Sequence, residues 1–154
     1  AGRIVEESSK INLDEFIPEV VAMQSLPKDF QVDIQSDLPE IISPSSPLEQ
    51  IFGNLLTNAV KHHDKKSGHI DITAKDEGAY LRFCVTDDGP GIPVAEREAV
   101  FKPFYRLDAS RNSETGGTGL GLSIARDLAR GAGGDVKLEQ STLGGLRACI
   151  ILPI

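Results

Sequence analysis

The chain has 154 residues, 40% of them hydrophobic and 25% charged, with a formal net charge of −7, the composition of one soluble globular domain long enough to bury a core. The acidic balance argues against a nucleic-acid partner, whose phosphates are met by clustered Lys and Arg, so an anionic ligand here needs a local basic patch. There is no apolar run of about 18 residues and no apolar stretch near the start, so neither a membrane span nor a leader is expected.

Ala1 to Lys10 carry no pattern and read as the tail of a preceding segment, with the domain expected from about Ile11 to residue 154. Asn12 or Asp14 can cap a helix over about Leu13 to Gln24, with Phe16, Ile17, Val20 and Val21 on one face and Pro27 as its stop. Phe30, Val32 and Ile34 alternate with polar residues as a half-buried strand, and Ile41 and Ile42 are expected to form a short strand beside it. A longer helix follows from about Pro47 to Lys61. Its apolar residues Leu48, Ile51, Phe52, Leu55, Leu56, Ala59 and Val60 keep the i, i+3, i+4, i+7 spacing of an amphipathic helix. Asn54, Asn58 and Lys61 make a polar line beside that stripe. Asn is a weak choice for a helix interior, so either these are ordinary surface amides or a ligand uses their carboxamides.

Ile70, Ile72 and Ala74, a turn at Asp76 to Gly78, and Leu81, Phe83 and Val85 read as a hairpin. Strand period carried forward puts Asp87, and not Asp88, on the apolar face, where a charge needs a specific hydrogen-bond partner. Gly89, Pro90 and Gly91 then turn the chain. Asp87 is either part of an Asp-Gly turn or a carboxylate placed for a flat base with an exocyclic amine. Phe101, Pro103, Phe104 and Tyr105 cluster, and Leu107 to Thr115 is polar, with Arg106 and Arg111 supplying positive charge. Gly116 to Leu122 is glycine-rich and leads into a helix over Ser123 to Ala132, with Ile124, Ala125, Leu128 and Ala129 turned inward. The run fits neither the dinucleotide fingerprint nor the P-loop, and by itself is either a hinge or a backbone cradle for phosphate. Gly131, Gly133 and Gly134 end the helix, and Val136, Leu138 and Leu146 to Leu152 form a closing hairpin. Cys84 and Cys149 lie in strand-like apolar runs. No Cys/His spacing suits zinc, and the expectation is buried free thiols in a cytoplasmic protein.

In order, Phe52 to Lys61 (FGNLLTNAVK), Asp87 to Gly91 (DDGPG), Phe101 to Phe104 (FKPF) and Gly117 to Leu122 (GTGLGL) resemble the N, G1, F and G2 boxes of the ATP-binding catalytic domain of bacterial sensor histidine kinases, within the superfamily of gyrase, Hsp90 and MutL. Thr142 to Gly145 (TLGG) resembles the weaker last glycine motif. The resemblance implies an α/β two-layer sandwich. A mixed, mostly antiparallel five-stranded sheet is covered on one face by about three helices, and a mobile ATP lid closes over the nucleotide, with Leu107 to Thr118 its least ordered part. It implies ATP and Mg²⁺ as cofactors: Asn58 on Mg²⁺, Asn54 supporting phosphate or the metal's water, and Lys61 on phosphate. Asp87 would accept from adenine N6, with Gly89, Gly91 and Ile92 against the base. Phe101, Phe104 and Tyr105 would anchor the lid, Arg106 and Arg111 would reach for phosphate, and Gly117, Thr118, Gly119, Leu120, Gly121 and Leu122 would line the phosphates with backbone N–H groups.

Superfamily members that hydrolyse ATP carry Glu where this chain has Asn54, and an amide is no general base, which favours kinase over ATPase. The acceptor histidine of the family stands on a separate dimerisation segment, and a response regulator is met through that segment. His62, His63 and His69 follow the N-box helix and are expected to be solvated or packing residues. The isolated domain is expected to be monomeric, with no direct membrane contact. Alternatives of the same fold are an anti-sigma-type serine kinase and a non-catalytic nucleotide-binding docking module.

Overall fold

A computed structural model describes residues 8–61, 67–103 and 121–153. The elements run β1 (Ser9–Asn12), α1 (Leu13–Met23), β2 (Phe30–Ile34), β3 (Glu40–Ser43), α2 (Ser45–Lys61), β4 (Gly68–Asp76), β5 (Tyr80–Asp87), α3 (Gly121–Gly131), β6 (Asp135–Gln140) and β7 (Leu146–Pro153). Five strands form one sheet in the order β2-β4-β5-β7-β6, parallel between β2 and β4 and antiparallel elsewhere. The three helices lie on one face of it. This is the two-layer sandwich expected from the motif order.

Asn12 caps α1 by accepting the Asp14 N–H at 3.0 Å, and Leu13, Ile17 and Val20 are buried one turn apart. The helix ends at Met23, before Pro27 is reached, because the chain turns at Ser25 with φ +50°. In α2, Leu48, Ile51, Phe52, Leu55, Leu56 and Ala59 are buried as the spacing requires. Phe52 meets Phe83 of β5 edge to face, ring centroids 5.2 Å apart, a contact worth about 0.5–1.5 kcal/mol beyond its buried area. Truncating Phe52 to Ala removes about 3–5 kcal/mol. Along β5, Leu81, Phe83, Val85 and Asp87 face the helices, all buried.

Four expectations need correction. β3 does not lie beside β2: it pairs antiparallel with β1, from Ser9↔Ser43 to Asn12↔Glu40, while β2 takes β4 as its neighbour. The Asp14 carboxylate accepts the Leu38 N–H at 2.9 Å, which leads the chain after β2 across the start of α1 to β1. β1 itself begins at Ser9, ahead of Ile11, because its first two residues are paired through backbone but exposed and so leave no apolar signal.

In α3 the expected inward residues Ala125 and Ala129 are buried and Leu128 packs against the core, but Ile124 is only half-buried, and Leu122 and Ser123, not expected to face inward, are buried with them. The helix starts at Gly121, so the last two residues of the glycine run are its first turn. It ends as expected, with Gly133 at φ +89° and the Gly134 N–H donating to the Ala129 carbonyl at 2.9 Å.

Cys84 and Cys149 are not free thiols. They stand directly opposite each other on β5 and β7, Cα atoms 4.1 Å apart, and are joined as a disulfide. The cystine lies on the sheet face away from the helices, buried among long side chains that include the Arg82–Glu139 pair and Arg147. The Arg82 hydrogen bond holds Glu139 below its ordinary carboxyl value, against the opposing effect of burial.

Candidate nucleotide-binding site

The site begins where β5 runs out. Asp87 is 7% exposed, on the apolar face, and its Oδ1 accepts the Gly89 N–H at 2.9 Å and the Leu146 N–H at 3.1 Å. These bonds are the specific partners that a charge at this depth requires. The Asp87 carbonyl accepts the Ser141 hydroxyl at 2.7 Å. A Cβ on Gly145 would overlap Asp87 Oδ1, the Gly89 nitrogen and the Asp87 carbonyl oxygen. Gly91, at φ +73°, would set a Cβ 3.1 Å from the Gly145 carbonyl. The turn after β5 and the turn before β7 are therefore packed backbone to backbone, and the carboxylate is gripped between them. Ile92 closes the near side, 9% exposed, its carbonyl accepting Arg97 Nε at 3.0 Å.

The second part is the polar edge of α2. Asn54 and Asn58 are half-buried along it and Lys61 is exposed at the helix end. The Asn54 Nδ2 is buried with no hydrogen-bond partner among the described residues. An orphaned donor of this kind costs about 1–3 kcal/mol. Asn54 also borders a cavity of about 410 Å³ lined by Gln24, Ser46, Glu49, Gln50, Gly53 and Thr57, a lining that contains none of Asn58, Lys61 and Asp87. A buried, unpaired N–H donor fits a ligand with acceptor oxygens. The Asn58 carboxamide oxygen is the hard neutral donor that Mg²⁺ accepts, so the residues present fit a magnesium-bound phosphate chain.

The third part is the anchor before residue 104. Phe101, 8% exposed, ends a short 3-10 turn, Ala99–Phe101, and the Arg126 guanidinium of α3 lies over its ring at 4.1 Å. Arg126 also donates to Glu98 Oε1 at 3.0 Å and Asp135 Oδ1 at 2.9 Å. Burial works against a charged Asp135, but hydrogen bonds from Arg126, the Val136 N–H and Arg130 outweigh it and hold the carboxyl below its ordinary value. One guanidinium thus ties the 3-10 turn, α3 and β6 together.

Gly121 and Leu122 lie in the first turn of α3, Leu122 buried. Phe104, Tyr105, Arg106, Arg111, Gly117, Thr118, Gly119 and Leu120, the expected lid, and His62 and His63 lie outside the described residues. His69 stands apart on the outer face of the sheet, paired with Asp33 and Asp71. Ser141, Arg126, Glu98 and Asp135 were not singled out from the sequence. Ser141 is 54 residues from the carbonyl it meets; its only local signal is its place before the TLGG turn.

The family model described as histidine kinase-, DNA gyrase B-, and HSP90-like ATPase matches residues 44–154. The chain is 41% identical over 107 residues to the sensor histidine kinase CpxA of Escherichia coli strain K12, covering 70% of this chain and 23% of that protein. Among solved structures, the mycobacterial sensor histidine kinase MprB superposes with a TM-score of 0.81 at 27% identity, over 94% of this chain and 97% of that one. The ATP binding domain of PrrB from Mycobacterium tuberculosis gives 0.75 at 25% identity, over 96% and 98%. The chain spans about a quarter of the length of the curated relatives it matches.

Proposed function

This chain belongs to the histidine kinase-, DNA gyrase B-, and HSP90-like ATPase family, and from that membership we propose that it is the catalytic domain of a sensor histidine kinase. It binds Mg-ATP and passes the γ-phosphoryl group to a histidine on a separate helical dimerisation segment, from which a response regulator is served. The observation that carries the reading is the buried Asp87 carboxylate, gripped by the Gly89 and Leu146 amides inside two turns that leave no room for a side chain at residue 145. Such a carboxylate accepts from the adenine amine and rejects a base that offers an acceptor there. Gly89, Gly91 and Ile92 flank the base.

Asn58 holds Mg²⁺ when it is bound, and the metal supplies charge neutralisation on the phosphates. Asn54 would give its unpaired N–H to a phosphate oxygen, and Lys61 would add positive charge at the helix end. With an amide at residue 54, the chain has no general base there to activate water, so transfer to a nucleophile outruns hydrolysis. The kinase works in the cytoplasm. In this reading Phe104, Tyr105, Arg106, Arg111 and Gly117 to Leu120, which follow the Phe101 clamp, and Gly121 and Leu122 at the start of α3 meet the phosphates.

The test is titration with a non-hydrolysable ATP analogue with and without Mg²⁺. In Asp87→Asn the amide keeps its carbonyl on the two backbone N–H groups and offers N–H₂ where the carboxylate offers oxygen. Affinity falls roughly tenfold or more, with or without metal. Asn58→Ala loses the Mg²⁺-dependent part alone. Unchanged affinity in both variants overturns the site, and absence of acid-labile phosphate on an acceptor helical segment supplied in trans overturns the kinase.

A further inference from the structure

On the sheet face away from the helices, Asp33 of the edge strand β2 stands directly across from Asp71 of β4. Like charges opposed on neighbouring strands destabilise a sheet. His69 precedes Asp71 by two residues and so shares its face. Its Nε2 lies 2.7 Å from Asp33 Oδ2 and 2.8 Å from Asp71 Oδ1, and all three atoms fall within 4.8 Å of one another. One ring nitrogen carries at most one hydrogen, so it cannot give both carboxylates a full hydrogen bond. Three good ligand atoms converge with one proton to share.

We propose that Asp33, His69 and Asp71 form a binding site for a divalent cation of the zinc type, which staples the edge strand β2 to β4. The donor set decides the class. One imidazole with two carboxylates suits Zn²⁺, and leaves a fourth position for water or an outside ligand, whereas Ca²⁺ and Mg²⁺ take oxygen sets. Ligand atoms around a tetrahedral zinc lie roughly 3.3 Å apart, so each nitrogen–oxygen separation opens by about half an ångström on loading. The side chains can make that shift, because Asp33, Asp71 and His69 are 54%, 36% and 34% exposed.

The supporting groups are already in place. Gln31 Nε2 donates to both oxygens of Asp33 at 3.2 and 3.1 Å, and the His69 backbone N–H donates to Asp88 Oδ1 at 2.9 Å. The site is separate from the nucleotide: Ile70, between His69 and Asp71, points through to the core and pairs in register with Asp87.

The test uses the purified chain, stripped with chelator, desalted and titrated calorimetrically with Zn²⁺ in the absence of nucleotide, with melting followed in parallel. One equivalent is expected to bind, and the melting temperature to climb with free Zn²⁺. His69→Gln and the isosteric double variant Asp33→Asn with Asp71→Asn are each expected to weaken binding at least about tenfold while keeping nucleotide affinity. The double variant removes the opposed charges and so keeps the fold. No saturable Zn²⁺ binding, or binding as tight in both variants as in the parent, overturns the proposal.

Discussion

A methyl group at residue 145 has nowhere to go. The atoms that a Gly145→Ala side chain would overlap are the Gly89 nitrogen and the Asp87 carbonyl oxygen, both backbone, and Asp87 Oδ1, a buried carboxylate oxygen held by the Gly89 and Leu146 amides. Relief requires the two turns to separate, which breaks the 3.1 Å bond from the Leu146 N–H to the carboxylate. Overpacking of this kind costs about 1–3 kcal/mol, and a lost hydrogen bond to a charged group about 1.5–3 kcal/mol, so the sum is about 4 kcal/mol. For a chain of this size that lowers the melting temperature by roughly 8–16 °C. Nucleotide affinity falls with it, since the displaced group is the proposed adenine acceptor. Gly144→Ala is the control. Residue 144 has φ +97° but open space around its Cβ position, so the substitution carries only backbone strain of about 1–3 kcal/mol and leaves nucleotide affinity intact. Thermal unfolding by circular dichroism and binding of a fluorescent ATP analogue read the two effects separately. A Gly145→Ala protein that melts and binds like the parent, or a Gly144→Ala protein that loses as much affinity, refutes the reasoning.

Arg126→Ala should destabilise by about 2–3 kcal/mol, below the 3–5 kcal/mol of a fully buried pair, because Asp135 keeps Arg130. Arg126→Lys should recover less than half of that in denaturant unfolding, since an ammonium cannot bridge Glu98 and Asp135 while lying flat on Phe101. Asp135 also sets an acid limit. Its carboxyl is lowered below 3.8 in the folded chain, so on acidification the unfolded chain takes up the proton first. The stabilisation is complete above that ordinary value and is lost as pH falls through the folded one. Asp135→Asn should flatten this acid limb of the stability profile, and an unchanged limb would show that other carboxylates carry it. Reducing the Cys84–Cys149 bond releases a constraint across 65 residues, about 4 kcal/mol in the chain-entropy account. Melting with and without reductant measures it, and the Cys84→Ser, Cys149→Ser double variant should be indifferent to reductant.

Much of the fold was legible because its signals are local. The period of α2 named its buried face residue by residue, and alternation along β5 put Asp87 on the core side without knowledge of any neighbour. The order of the boxes from Phe52 to Leu122 was enough to identify the family. Where reading failed, the deciding contact was distant or the pattern silent. In α3 the period placed Ala125, Leu128 and Ala129 inward correctly, and packing against α2 and the core brought in Leu122 and Ser123 and left Ile124 half-buried. β3 has two isoleucines and no marker of its partner; the Asp14–Leu38 bond selects β1.

By itself, the sequence determined which residues α2 and β5 turn inward and the order of the boxes that marks the family, because side-chain direction follows from periods of 2 and 3.6 along the chain. Only the tertiary structure decided who stands opposite whom. Strand register brings Cys84 to Cys149, Asp33 to Asp71, and the Leu146 amide to Asp87 across 59 residues. Register is set by how whole faces pack, and no local spacing carries it. The grip on the Asp87 carboxylate and the meeting of Asp33, His69 and Asp71 are products of that register.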